Sequence, residues 1–450
     1  MSILTVRELP RNLGFPMAAS ATSQLAFPLS GSGASPPSIL IGVTHSQTCL
    51  VLKSRIRALR QAGLRVTLVS SPGPLLNQTA ESEGVESIAI PMSRAIAPIA
   101  DLVSYAKLWR TLGKCRPEMV EFSTPKAGLL GLLAAWMHGV PRRIYLLRGL
   151  KLETATGVRR RLLWAAERLA AWCAHVVLCS SESLRDRALA LGIAPAGKLL
   201  LLGEGSSHGV DVERFSPGPT NVRRQLGILP GTPVVGFVGR LTRDKGVPEL
   251  IQAFEAIHHA EPGARLLLVG WFDHAEDALE EVLRTRIESH PGIHCTGFVS
   301  DTAPYYRAMD VLVLPTWREG FPNVVLEAAA TGVPVVTTSC TGARDSVIPE
   351  VTGSLIPPGD PEAIASALLD LLRNPCLRSR MGEAARAWAR EHYREERVLS
   401  LMAAFYAGLL APVAGTGKAK AEKGRNGSRI ATAWAHAVSK TALTNGPRPS

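Results

Sequence analysis

The chain has 450 residues, 46% hydrophobic and 20% charged, enough apolar material for two or three domains and too much for a chain disordered throughout. The formal net charge of +12 is unevenly spread: residues 1–215 carry 25 basic and 14 acidic side chains, residues 216–410 carry 18 and 23, and residues 411–450 carry 7 and 1. That distribution excludes a uniformly basic nucleic-acid binder. The charge-free stretch 127–141 falls short of the ~20 apolar residues that span a bilayer, so no transmembrane helix is expected.

Residues 1–38 hold Arg7 and Arg11 but no compact apolar run, and they end in SGSGASPPS, a weak match to a signal peptide. They read as a disordered extension, with Met17 as a second candidate start. Beyond them, short runs rich in Val, Ile and Leu recur between amphipathic stretches: ILIGV (39–43), LRVTLV (64–69), RIYLL (143–147) and HVVLCS (175–180), then VVGFVG (234–239), RLLLVG (265–270), DVLVLP (310–315) and PVVTT (334–338). Continuous apolar strands alternating with helices are the pattern of parallel sheets covered on both faces. The expected fold class is α/β, with two Rossmann-like doubly wound domains, 39–215 and 216–392, divided near FSPGP (215–219) and facing each other across a cleft. The segment 393–410 is expected to be a helix packing back on the N-terminal domain, and residues 411–450 a disordered basic tail. The seven cysteines are scattered with no CxxC pair, which argues against a disulfide framework or a structural zinc site and fits a reducing cytoplasm.

In doubly wound folds ligands bind beyond the carboxyl ends of the strands, so the loops there are where chemistry is expected. In VVGFVGRLTRDKG (234–246) a strand ends at Gly239, Arg240 and Lys245 flank the turn, and a helix opens near Val247. Two fixed cations beside a helix N-terminus suit a diphosphate, whose charge grows when it leaves. On this segment alone, two solvated surface cations remain an equal reading. No GxxxxGK[ST] signature is present, so an ATPase is not supported.

The segment DVLVLPTWREGFPNVVLEAAATGVPVV (310–336) is more specific. A strand ends near Pro315, Glu319, Gly320 and Phe321 follow in a loop, and Pro322 falls in the first helical turn. Glu319 and Glu327 have seven residues between them, which sets one in the loop and the other one turn inside the helix. Such carboxylates suit paired sugar or ribose hydroxyls. Gly320 allows close approach of a ligand, and the amides near Asn323 and Val324 direct a positive dipole at a phosphate. A Glu327 favoured only by the helix dipole would leave Glu319 and the glycine unexplained.

Together GRLTRDKG, EGFPNVVLEAAATGVPVV and GSLIPPGDPEAIASAL (353–368) resemble the family 4 glycosyltransferases of GT-B fold, over about residues 39–410. The resemblance implies that Glu319 contacts donor-sugar hydroxyls, that Glu327 contacts the ribose, and that Arg240 and Lys245 bind the donor diphosphate. It makes Arg240, Lys245 and Glu319 the catalytic set, and adds Gly239, Phe298, Gly320, Phe321, Asn323 and Val324 to the donor site. It implies a metal-independent, retaining enzyme with no cofactor, the nucleotide sugar being a co-substrate and UDP its expected carrier. PMSRAIAPIADL (91–102), STPKAGLLG (123–131), RGLKLETATG (148–157) and GEGSSHGVDVERF (203–215) resemble the group that builds bacterial capsule, O-antigen and lipid-linked glycans. Lys126 and Arg148 are then expected on the acceptor side as a second anion site.

The chain also departs from that pattern. Where many members carry His-Gly or His-Asp, it has Arg148-Gly149; either Arg148 takes over part of the electrostatic role or the acceptor chemistry differs. The first strand is followed by THSQTC (44–49) without a Gly-Gly loop, and His208 stands where Asn is usual and reads as a turn residue. Two other classes keep some of these features. A glycoside hydrolase needs two carboxylates ~5–9.5 Å apart and has no use for diphosphate cations; a nucleotide-sugar sensor would keep Arg240, Lys245 and Glu327 without needing Glu319. Finally, VRRRLLWAAERLAAW (158–172) sets Arg159, Arg160 and Arg161 beside Leu162, Leu163 and Trp164, a segment suited either to an anionic membrane surface or to an ordinary core helix with a charged face.

Overall fold

A computed structural model describes residues 36–93, 97–273 and 277–410; the expected N-terminal extension up to residue 35 and the tail 411–450 lie outside the described residues. The N-terminal half builds β1 (Ser38–Gly42), β2 (Arg65–Ser70), β3 (Glu86–Ala89), β4 (Met119–Ser123), β5 (Arg142–Leu147), β6 (Val176–Cys179) and β7 (Leu199–Leu201). The C-terminal half builds β8 (Val234–Val238), β9 (Arg265–Val269), β10 (Ile293–Cys295), β11 (Val311–Leu314), β12 (Val335–Thr338) and β13 (Gly353–Ile356). They form two sheets, ordered β3-β2-β1-β4-β5-β6-β7 and β10-β9-β8-β11-β12-β13. Each pairing is parallel, as the βαβ alternation requires. The eight apolar runs of the sequence coincide with β1, β2, β5, β6, β8, β9, β11 and β12. The other five strands are short, or partly polar as in MVEFS of β4. Prolines mark helix starts: Pro74, Pro98, Pro125, Pro248, Pro361 and Pro375 each sit in a first turn, where the missing N–H costs nothing.

One apolar core fills the C-terminal unit, and two cores cover the two faces of the N-terminal sheet. The helix Glu395–Leu410 belongs to the second unit in sequence but to the first in space: Met402, Phe405, Tyr406 and Leu409 lie in the same cluster as Ile41, Ile56 and Leu68. The Val210 and Glu395 amides, bonded to the Tyr393 and Val210 carbonyls, steer the chain across.

Under that helix lies a buried charge. Glu121 alternates with Phe122 along β4 and so points to the face that the last helix covers, with no solvent exposure. Its carboxylate meets the Arg55 guanidinium from the helix Lys53–Gln61 and the Tyr406 hydroxyl, which Arg55 also contacts. Burial pushes the Glu121 carboxyl up and the Arg55 guanidinium down; the charge of Arg148 opposes the first shift and adds to the second. Such a cluster adds little net stability when whole but is costly to break. Tyr406→Phe, which deletes the hydroxyl shared by both charges, is expected to destabilise the protein by about 1–3 kcal/mol. Urea denaturation measures this as a lower midpoint, and an unmoved midpoint would mean that the hydroxyl carries no part of the docking.

Candidate active site

Strand order reverses between β8 and β11, and loops leaving a sheet at such a point diverge and open a crevice. The loop after β8 carries Gly239, Arg240 and Lys245, and the loop after β11 carries Glu319, Gly320 and Phe321. Gly246 brings the two loops together. Its φ is +72°, and a Cβ there would lie 1.9 Å from the Pro315 carbonyl oxygen, so only glycine lets the first loop close onto the end of β11.

That closure places the Lys245 ammonium on the Glu319 carboxylate, both largely shielded from solvent. Arg240 Nη1 donates to Asp273 Oδ2 at 2.6 Å. Between the loops, Asp244 accepts from the Thr242 hydroxyl at 2.6 Å and from Arg318 Nη2 at 2.7 Å. Burial works against the Asp244 charge, but Lys245, Arg318 and the Thr242 hydroxyl outweigh it and hold the carboxyl below its usual range. The two cations and the first glutamate of the sequence reading thus share one crevice, each cation already facing a carboxylate.

The helix Asn323–Thr331 starts at this crevice. Pro322 stands at its N-cap rather than in the first turn. The Asn323 and Val324 amides belong to that first turn, whose N–H groups have no partner within the helix. The Val324 side chain packs partly against the core. Glu327 accepts from the Tyr306 hydroxyl at 2.7 Å; burial pushes its carboxyl up to about 7, with the Tyr306 hydrogen bond pulling the other way. Phe298 is exposed beyond β10, its ring 5.5 Å from that of Trp271 beyond β9 and nearly perpendicular to it. Phe321 is half-buried. Its ring lies 5.2 Å from that of Tyr393 and packs partly against the core.

Gly320 also differs in its reason. A Cβ there would lie 2.5 Å from the carbonyl of Arg148, so the backbone that approaches it is that of the opposite domain. Other bonds cross the same gap. Asp345 Oδ2 accepts from the Ser183 amide at 3.0 Å, the Thr341 hydroxyl donates to Glu153 at 2.8 Å, and Arg318 Nε donates to the Thr154 hydroxyl at 3.2 Å. His208 is no mere turn residue. Its imidazole meets the Asn323 side chain across the gap, and burial with the charges of Arg148 and Arg55 pushes its pKa down to about 3, so it is neutral at pH 7.

The two cations expected on the acceptor side have different partners. Lys126, in the first turn of the helix Pro125–Met137, donates to Asp101 at 2.5 Å. Arg148 follows β5 and lies within electrostatic reach of Glu121; burial lowers its pKa and Glu121 opposes that. The strand reversal of this sheet, between β1 and β4, is closed by Thr44 and Thr124, whose hydroxyls are 2.7 Å apart. Asp273, Trp271, Tyr306, Asp244 and Thr44 were missed in the sequence because each acts through a partner distant in the chain. For Trp271 the signal was its place directly after RLLLVG. Among the described residues no group of three His, Cys, Asp or Glu is arranged to hold a metal ion, and no helix is long and apolar enough to cross a membrane.

Residues 232–374 match the family Glycosyl transferases group 1, and residues 51–205 match the Glycosyl transferase 4-like domain. The capsular polysaccharide biosynthesis glycosyltransferase CapM of Staphylococcus aureus is 36% identical over 345 residues, 76% of this chain and 90% of that protein. The UDP-Gal:alpha-D-GlcNAc-diphosphoundecaprenol alpha-1,3-galactosyltransferase of Escherichia coli is 27% identical over 304 residues, 66% of this chain and 77% of that one. Among solved structures, Anabaena HepE with UDP and glucose superposes with a TM-score of 0.69 at 20% identity, covering 82% of this chain and 99% of its own, a likeness of fold alone. The two domain matches in tandem, the CapM likeness along most of both chains and the paired sheets agree: the chain belongs to the family 4 glycosyltransferases and has their GT-B fold.

Proposed function

We propose that this protein moves a hexose or N-acetylhexosamine from a UDP-sugar to a hydroxyl of a lipid-linked or polysaccharide-precursor acceptor in bacterial surface-glycan synthesis, with retention at the anomeric carbon and without metal or cofactor. The observation that carries this reading is the meeting of Lys245, Arg240 and Glu319 at one strand reversal, beside the first turn of the helix Asn323–Thr331. The capsular role of CapM, the diphosphoundecaprenol-linked acceptor named for the Escherichia coli relative and the UDP held by HepE support the finer terms. Such an acceptor would place the work at the inner face of the cell membrane.

A diphosphate brings Lys245 more negative charge than one carboxylate does. Donor binding therefore draws Lys245 from Glu319 and Arg240 from Asp273, and leaves Glu319 to accept the sugar hydroxyls. Glu327 takes the ribose hydroxyls, and the faces of Phe298 and Trp271 offer stacking to the base. As the anomeric C–O bond breaks, charge grows on the departing phosphate and is met by Arg240, Lys245 and the Asn323 and Val324 amides. The incoming hydroxyl attacks from that same face and gives its proton to the departing diphosphate, so neither glutamate serves as a nucleophile. Arg148 and Lys126 add positive charge on the acceptor side.

Incubation with UDP- and GDP-sugars and a polyprenyl-diphosphate acceptor, with the product anomer read by NMR and chelator present, tests the whole; nucleotide binding without transfer or donor turnover would support a sensor instead. Lys245→Ala is expected to lower kcat about 10²–10³-fold with the fold intact, and unchanged turnover would remove Lys245 from the diphosphate. Ribose hydroxyls favour the Glu327 carboxylate, so its raised pKa predicts that UDP affinity climbs with pH, by up to about tenfold between pH 6 and 8. Calorimetry at several pH values reads this. Glu327→Gln should flatten the profile and weaken binding, whereas a variant with the wild-type profile would refute the ribose role.

A further inference from the structure

The helices Pro98–Cys115, Pro125–Met137 and Gly157–Cys173 pack side by side over one face of the N-terminal sheet. Their inner sides are conventional: Leu108, Leu112, Ala134 and Ala170 are buried in the core. Their outer sides are not. Of the nineteen exposed large hydrophobic side chains among the described residues, ten lie on these three helices. On the third, Val158, Leu162, Ala165, Leu169 and Trp172 are all exposed at positions i, i+4, i+7, i+11 and i+14, a continuous apolar stripe facing away from the protein. A helix apolar on both sides has a second partner to find. Within the segment 158–172 the apolar residues divide: Leu163 and Trp164 pack inward, with Trp164 Nε1 donating to the Leu191 carbonyl at 2.8 Å, while Leu162 stays outside.

The chemistry around this apolar surface selects the partner. Arg159, Arg160, Arg161 and Arg168 on the third helix, and Lys107, Arg110 and Lys114 on the first, are exposed. The two acids of the three helices are withdrawn. Asp101 is held by Lys126, and Glu167 is buried and accepts from the Tyr145 hydroxyl at 2.6 Å. Trp136 and Trp172, at the ends of adjacent helices, are exposed with ring centroids 5.0 Å apart. Amphipathic aromatic rings and long cationic side chains around an aliphatic stripe match the boundary between lipid tails and anionic headgroups, where the stems bury and the charges stay wet.

We propose that this three-helix surface docks the protein on an anionic lipid bilayer. Crossovers of a parallel sheet begin at the carboxyl ends of the strands, so the helix starts, with Ile99, Leu102 and Val158, stand at the cleft edge beside Lys126 and the loop after β5. A docked protein thus holds the lip of its cleft at the lipid surface. The proposal draws its motive from the lipid-linked acceptor above but is tested apart from it.

Flotation of the full chain with phosphatidylcholine vesicles, with and without phosphatidylglycerol, is the measurement, and a UDP titration of each variant checks the donor site. The wild type is expected to float with the anionic vesicles. Replacing Arg159, Arg160 and Arg161 by Glu should weaken vesicle binding about hundredfold or more. The double change Trp136→Ser and Trp172→Ser, both on exposed positions, should weaken it about tenfold or more at low and high salt alike. UDP binding should stay as in wild type in both variants. Failure of the wild type to float, or variants that float as well as it does, would overturn the proposal. So would binding that ignores the tryptophans and is matched by a single-stranded RNA, which would mean a purely electrostatic surface. If UDP fails to bind while flotation behaves as expected, the donor reading falls and the docking surface stands.

Discussion

The close backbone approach between Gly320 and Arg148 governs the rest of the site. A glycine in one domain and a strand end in the other meet at a distance that leaves no room for a β-carbon. From that contact the loop after β11 takes its course, Glu319 is turned back toward Lys245, and Asn323 comes within reach of His208. The domain contact and the candidate site are therefore one structure seen from two sides. The neutral imidazole fits this arrangement, because burial and the charges of Arg148 and Arg55, both in its own half, disfavour another positive charge there.

Charges in the crevice are arranged as exchangeable pairs. Lys245 with Glu319, Arg240 with Asp273 and Arg318 with Asp244 each keep a cation in place and a carboxylate quiet. Side chains held this way are already ordered, so little rotamer entropy remains to be lost when a phosphate replaces a carboxylate. Arg318 also reaches Thr154 of the other domain, which ties the set of pairs to the gap between the halves.

The parts of this molecule legible in the sequence are those written in contiguous residues. Eight strands show as apolar runs because buried parallel strands are apolar on both faces, and Arg240, Lys245 and Glu319 show because their loops follow such runs. β4 was hidden because its third residue is Glu121, whose partners lie in other elements, Tyr406 being 285 residues away. The pairing of Lys245 with Glu319 spans 74 residues and cannot be seen in either motif. Gly320 was legible as a place of close approach, but not which backbone approaches. Phe321 and His208 show the same limit, since an aromatic and an imidazole each tolerate both a cleft and an interior, and only the neighbour decides.

The last helix sets an order of events. The N-terminal sheet encloses Glu121 only when residues 395–410 lie over it, and those residues are the last of the described chain to leave the ribosome. Until then Arg55 and Glu121 stand at an open apolar face, and the first half of the protein is an incomplete folding unit although it owns a full sheet. The C-terminal unit draws its core from residues 210–393, so it is complete once Tyr393 is in place, just ahead of that last helix. A chain that emerges N-terminus first thus finishes its second half before its first, and the two halves become interdependent as the final turn of helix docks.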